Sequence, residues 1–123
     1  RAMLLNMSVA SHCPLLQSAV EPLAEALKES LRDNFIAPII SNVSARKYQS
    51  AQEALELLPK QLVSPVLNKQ SIAAFDDETD CYIEFGHGSV LKGLNRRATK
   101  KPHFNISDIS SLESTVRALE ELA

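Results

Sequence analysis

The chain has 123 residues, a formal net charge of −2, and apolar and charged fractions of 45% and 23%, the profile of one ordinary globular domain. That balance excludes a generally basic protein that coats nucleic acid, and no apolar run approaches the roughly 18 residues that a bilayer-spanning helix needs. Cys13 and Cys81 stand far apart and in no C-x-x-C arrangement, so neither a disulfide framework nor a zinc site is expected, and both thiols are expected to be reduced, as in the cytoplasm.

Residues 3–9 read as an apolar strand already in progress; with Arg1 in place of Met and no leader, the chain is expected to be part of a longer protein. Pro14 suits the first turn of a helix, and Leu15, Ala19, Leu23, Leu27 and Leu31 carry an apolar stripe over residues 14–32, with a kink expected at Pro22. Residues 39–43 read as a short buried strand. Ser50 and Glu53 match a capping box that opens a helix bearing Ala54, Leu55, Leu58 and Leu62, which is expected to bend or restart at Pro59. A further helical stretch runs from Pro65 to about Phe75, followed by a solvated acidic loop over 76–80. The β-rich run 81–85 is the clearest strand; it ends in Gly86-His87-Gly88, which turns into a helix carrying Val90, Leu91, Leu94 and Ala98. A short strand over 104–106 precedes a last helix capped by Ser110 to Glu113, with Leu112, Val116, Leu119 and Leu122 facing inward. Strands alternating with helices through short links predict an α/β, three-layer domain with a largely parallel sheet flanked by helices.

His12, where the first strand passes into the first long helix, is the leading candidate for chemistry. Near a helix N-terminus the macrodipole disfavours the imidazolium and leaves the ring able to accept a proton. A histidine at such a junction is also commonly a cap or a packed loop residue. Cys13 beside it reads as a small packing residue. Gly86-His87-Gly88-Ser89 fits neither a dinucleotide fingerprint, since Leu91 stands where the third glycine belongs, nor a nucleophile elbow; with only Gly86, Gly88 and Gly93 in the chain, no G-x-S-x-G exists. His87 reads as a turn residue beside a helix N-terminus open to an anion, and His103 as exposed. Lys92, Arg96 and Lys100 fall at i, i+4 and i+8 of one helix, with Arg97 and Lys101 alongside. This patch is either a solvated helix end or a dock for an acidic partner; no aromatic residues interleave it, so nucleic acid is not expected.

Three runs together resemble the C-terminal part of the malonyl-CoA:acyl carrier protein transacylases of bacterial fatty acid synthesis. They are Arg1-Ala2-Met3 with Val9-Ala10-Ser11-His12-Cys13, then Gln61-Leu62-Val63-Ser64-Pro65-Val66, and Glu84-Phe85-Gly86-His87-Gly88-Ser89-Val90-Leu91-Lys92-Gly93-Leu94. The resemblance implies a hydrolase-like α/β core, with residues 1–9 as a strand leaving a small subdomain and 10–123 as part of the large core. It implies His12 as the general base of a ping-pong serine-ester transfer of malonyl from coenzyme A to the acyl carrier protein thiol, with Gln61 orienting the imidazole. Ser11 is implied at the acyl pocket, and Arg96, Arg97 and Arg1 at the carrier-protein dock. The nucleophilic serine would lie outside this chain, which alone is expected to be inactive. Malonyl-CoA is implied as substrate and acyl carrier protein as partner, with no permanently bound cofactor or metal, no nucleic acid or membrane partner, and a cytoplasmic monomer when complete. The chain departs from the family pattern at Asn68, where tryptophan is usual, at His87, where proline is common, and at Pro59, which interrupts a helix normally continuous into Gln61. A polyketide synthase acyltransferase domain and a non-catalytic α/β module that binds an acidic protein are the competing expectations.

Overall fold

The structure, a computed structural model, describes residues 9–122. Arg1, and all of the expected first strand but Val9, lie outside the described residues. The chain divides into two compact units, Arg1–Ser71 and Ile72–Ala123.

In the first unit a single 3-10 turn, Pro14–Leu16, opens on Cys13 with proline at its first position and leads into α1, Gln17–Ser30. α1 packs on α2, Ala51–Gln61, through its half-buried leucines, and Ala54 of α2 is fully enclosed. Both helices carry an internal proline, Pro22 and Pro59. α2 nevertheless runs unbroken to Gln61, contrary to the expected bend or restart. Pro59 stands only two residues before the helix end, so its missing N–H removes just the bond to Leu55, and its buried ring contributes apolar packing. The start of α2 is as its sequence predicts: Ser50 Oγ accepts from Glu53 N at 3.2 Å and donates to Glu53 Oε2 at 2.7 Å, while Asp33 Oδ1 takes the Ala51 N–H at 2.8 Å.

Between these helices β1, Ile39–Ile40, pairs antiparallel with β2, Lys47–Tyr48. The expected buried strand over 39–43 is thus a two-residue exposed strand followed by a turn. The reason is local: Ser41 Oγ accepts from Val43 N at 3.1 Å and Ser44 N at 3.3 Å, curling the chain away from extended geometry. Ala45 closes the turn at φ 53°, donating its N–H to Ser41 O at 2.9 Å. Tyr48 is buried and meets the Phe35 ring edge-on, centroids 6.4 Å apart.

α3, Asn68–Phe75, spans the boundary between the units. In the second unit β3, Tyr82–Phe85, and β4, His103–Ile106, form a parallel pair in register from Tyr82↔His103 to Phe85↔Ile106. α4, Val90–Asn95, lies in the crossover between them, and α5, Ile109–Leu122, packs on β4. This β-α-β unit is the local form of the α/β class expected from the alternating elements. α4 ends at Asn95 and not near Ala98: beyond it the N–H groups of Arg97 and Ala98 bond three residues back, to Leu94 and Asn95, which tightens the chain into turns. The cap of α5 is Asp108, whose Oδ1 accepts from Ser111 N at 2.7 Å, two residues before the expected one. Along α5 the buried residue is Thr115, whereas Leu112, Val116 and Leu122 are exposed. Phe85 and Ile109, at the ends of β3 and the start of α5, are 74% and 76% exposed. The stripes predicted to face inward therefore exist, but among the described residues Leu112, Val116 and Leu122 are left exposed.

Candidate active site

His12 stands two residues before the Pro14–Leu16 turn with φ 52°, the left-handed region that side chains with a Cβ rarely enter. Such an outlier costs about 1–3 kcal/mol and persists only where surrounding contacts hold it. One such contact is explicit. His12 Nδ1 stands 2.8 Å from the main-chain oxygen of Gln61. A carbonyl oxygen only accepts, so Nδ1 carries the hydrogen, and in the neutral ring Nε2 is the bare, basic nitrogen. The imidazole itself is exposed.

The acceptor is available because of where Gln61 falls. It is the last residue of α2, and the residue four further on, whose N–H would normally take its carbonyl, is Pro65, which has none. The remaining candidate donor, Ser64 N, is distant at 3.5 Å. The Gln61 side chain points elsewhere: its Oε1 accepts from Asn42 Nδ2 at 3.1 Å. Asn42 also accepts the Leu67 N–H on its main-chain oxygen at 2.8 Å. Nothing in the sequence singled out Asn42, which falls there within the run 39–43 expected to be a buried strand.

Ser11 is exposed immediately before His12, and Cys13 is a half-buried free thiol. In the second unit Arg96 is the residue capping α4 and Arg97 lies in the turn beyond; both are exposed. Lys100 and Lys101 lie past the helix, so the basic residues do not form the i, i+4, i+8 row expected of them. Gly86 and Gly88 have φ 121° and 91°, which explains two glycines around His87. The helix start that follows is not open to an external anion: Glu84 Oε1 and Oε2 accept from Leu91 N at 3.1 Å and Lys92 N at 3.0 Å. Main-chain and then side-chain hydrogen bonds from Ser111 hold the Asp108 carboxyl below its usual range, with the nearby His87 adding to the effect. His103 is not exposed as expected; it stacks on Tyr82 with centroids 4.8 Å apart and donates through Nδ1 to the Lys101 main-chain oxygen, 2.9 Å away. Among the described residues no group of three or more His, Cys, Asp or Glu could hold a metal ion, and no helix is long and apolar enough to cross a membrane.

No family model matches the chain. A Drosophila melanogaster protein named "Probable malonyl-CoA-acyl carrier protein transacylase, mitochondrial" is 42% identical over 111 residues, covering 83% of this chain and 29% of that protein. The malonyl-CoA:acyl carrier protein transacylase of Helicobacter pylori has the same fold over 97% of this chain and 38% of its own, with a TM-score of 0.90 and 41% identity. A malonyl-transacylase solved in complex with a type II polyketide acyl-carrier protein matches 93% of this chain and 38% of its own, with a TM-score of 0.81 and 29% identity. The chain thus spans between about three and four tenths of the length of these relatives. In sequence and in fold it belongs to the malonyl-CoA:acyl carrier protein transacylase family, whose C-terminal part it matches.

Proposed function

We propose that this chain is the base-bearing part of an enzyme that moves malonyl from coenzyme A to the phosphopantetheine thiol of acyl carrier protein. The observation that carries the reading is the His12 Nδ1–Gln61 main-chain contact, which leaves Nε2 free to take a proton. In the first half-reaction a serine supplied from outside this chain gives its hydroxyl proton to His12 Nε2 as its oxygen attacks the thioester carbonyl; the C–S bond breaks and coenzyme A leaves with that proton. In the second, the carrier thiol gives its proton to Nε2, its sulfur attacks the serine ester, and the serine oxygen regains the proton. Protonation of the ring strengthens its bond to Gln61, because hydrogen bonds from a charged donor are about twice as strong as neutral ones. Gln61 therefore acts through its backbone, and the side chain serves elsewhere.

Malonyl-CoA is the substrate, with no permanently bound cofactor. Ser11, beside the base, borders the acyl group. Arg96 and Arg97, joined by Arg1, attract the acidic carrier protein, a reading supported by the similar malonyl-transacylase solved with its acyl-carrier protein. That carrier belongs to a type II polyketide system, which favours such a carrier as the second acceptor to test. Residues 1–9 leave a small subdomain and 10–123 belong to the large one, and the exposed faces around Phe85 and along α5 are covered by the remainder of that core. The complete protein works as a monomer in a cytoplasmic or organelle matrix. In an intact transacylase carrying this chain, His12→Ala is expected to lower malonyl transfer at least about 100-fold with the fold intact; turnover within a few fold of the parent would overturn the assignment.

A further inference from the structure

The carbonyl that holds His12 is not fixed by its own helix, since Gln61 is the terminal residue of α2 and Pro65 ends any continuation. Something else must set where it stands relative to the ring. Asn42 reaches the side chain of the same residue. It sits at the start of the turn between β1 and β2, a turn braced by the buried Ser41 through the Val43 and Ser44 amides and the Ser41–Arg46 main-chain bond of 2.9 Å. From this base Asn42 grips both ends of the connection between α2 and α3: Nδ2 donates to Gln61 Oε1 at 3.1 Å, and its main-chain oxygen accepts from Leu67 N at 2.8 Å. Between those two points the described main-chain bonds are turn-type, Leu62 N to Pro59 O and Val63 N to Lys60 O, both 3.2 Å, and the long Ser64 N to Gln61 O contact of 3.5 Å.

We infer that Asn42 is a positioning residue for the catalytic base: its carboxamide clamps the Gln61 side chain so that the Gln61 main-chain oxygen stays within hydrogen-bond reach of His12 Nδ1. The inference rests on the reading of His12 as the base. The chain of contacts is short, Asn42 to the Gln61 side chain to the Gln61 carbonyl to His12. Its consequence is chemical, because a carbonyl that drifts releases the ring to the other tautomer, in which Nε2 carries the hydrogen and cannot accept the nucleophile's proton.

The test is made in an intact transacylase carrying this chain, labelled with 15N-histidine, with the His12 signals assigned by their loss in His12→Ala. Asn42→Leu keeps the main-chain bond to Leu67 and removes only the carboxamide. It is expected to raise the fraction of His12 with hydrogen on Nε2 and to lower kcat about threefold to tenfold, the range one net hydrogen bond spans, with KM unchanged. Asn42→Asp should recover the parent tautomer, since a turned Gln61 carboxamide can donate to the new carboxylate. Gln61→Leu should reproduce the Asn42→Leu tautomer shift, and the double variant should be no worse than either single one. An unchanged tautomer in Asn42→Leu, or in Gln61→Leu should Asn42→Leu not fold, overturns the inference. Failure of the base reading shows differently: His12→Ala would retain turnover while Asn42→Leu still shifted the tautomer.

Discussion

Replacing His12 by glycine and by alanine should give the reverse of the usual order of stability. Both variants lose the imidazole and its 2.8 Å bond to Gln61, so their difference reads the backbone alone. At φ 52° a residue with a Cβ suffers the left-handed clash, about 1–2 kcal/mol, which glycine escapes. Against this stands the greater freedom that glycine loses on folding, about 0.5–1 kcal/mol. The balance leaves His12→Gly more stable than His12→Ala by about 0.5–1 kcal/mol. With a urea m-value near 2 kcal/mol/M, the glycine variant should unfold at a midpoint about 0.3–0.5 M higher, at unchanged m. Far-UV circular dichroism at equilibrium measures this directly. Ala45, at φ 53° in the β1–β2 turn, is an internal control, since Ala45→Gly makes the same exchange away from the site. Equal midpoints, or alanine above glycine at position 12, would show that His12 does not hold the left-handed conformation in solution.

Gln61→Ala keeps the main-chain oxygen and should retain far more transfer activity than His12→Ala, losing about tenfold at most in kcat; a loss equal to that of His12→Ala would mean that the carboxamide itself meets the ring. Glu53, held low by Ser50 and then by the Gln49 amide, and Asp108, held low by Ser111, have folded pKa values below their unfolded ones. Their stabilisation is therefore complete above the unfolded carboxylate range near about pH 4 and is lost as pH falls through the folded values. Acid titrations of the unfolding midpoint should show a shallower decline below that range for Asp108→Asn than for the parent, and parallel curves would refute the linkage. Reversing Arg96 and Arg97 to Glu should weaken carrier-protein binding measured calorimetrically at low salt, and the parent's own affinity should fall as ionic strength rises, because exposed charges are screened over about 10 Å at 0.1 M salt; a salt-independent affinity would count against the dock.

Much of the chain was legible because its signals are local. The Ser50–Glu53 box, the apolar stripe of the first long helix and the β-rich run ending in glycines each specify an element through its own residues, and α2, α1 and β3 stand at those places with shifted ends. Burial was less legible. Leu112 and Val116 carry the apolar period of a core-facing helix, yet a stripe says only that a face seeks cover, and both side chains are exposed among the described residues. The run 39–43 misled for a related reason, since its β-branched residues announce extended chain while the Ser41 hydroxyl ends it after two. His103 looked exposed beside Pro102 because stacking on Tyr82 is a cross-strand contact that depends on the β3–β4 register. At the site, the address of His12 could be read, whereas its acceptor could not: a main-chain carbonyl has no residue type. The one trace of it was Pro65, four residues after Gln61, which removes the donor that would otherwise occupy that oxygen.

The central claim, that the Gln61 carbonyl holds His12 with Nε2 free to act as base, is tested most directly by the 15N spectrum of the neutral His12 ring in an intact transacylase carrying this chain. The account predicts a protonated Nδ1 and a bare, pyridine-like Nε2. A neutral ring with its hydrogen on Nε2 would contradict it.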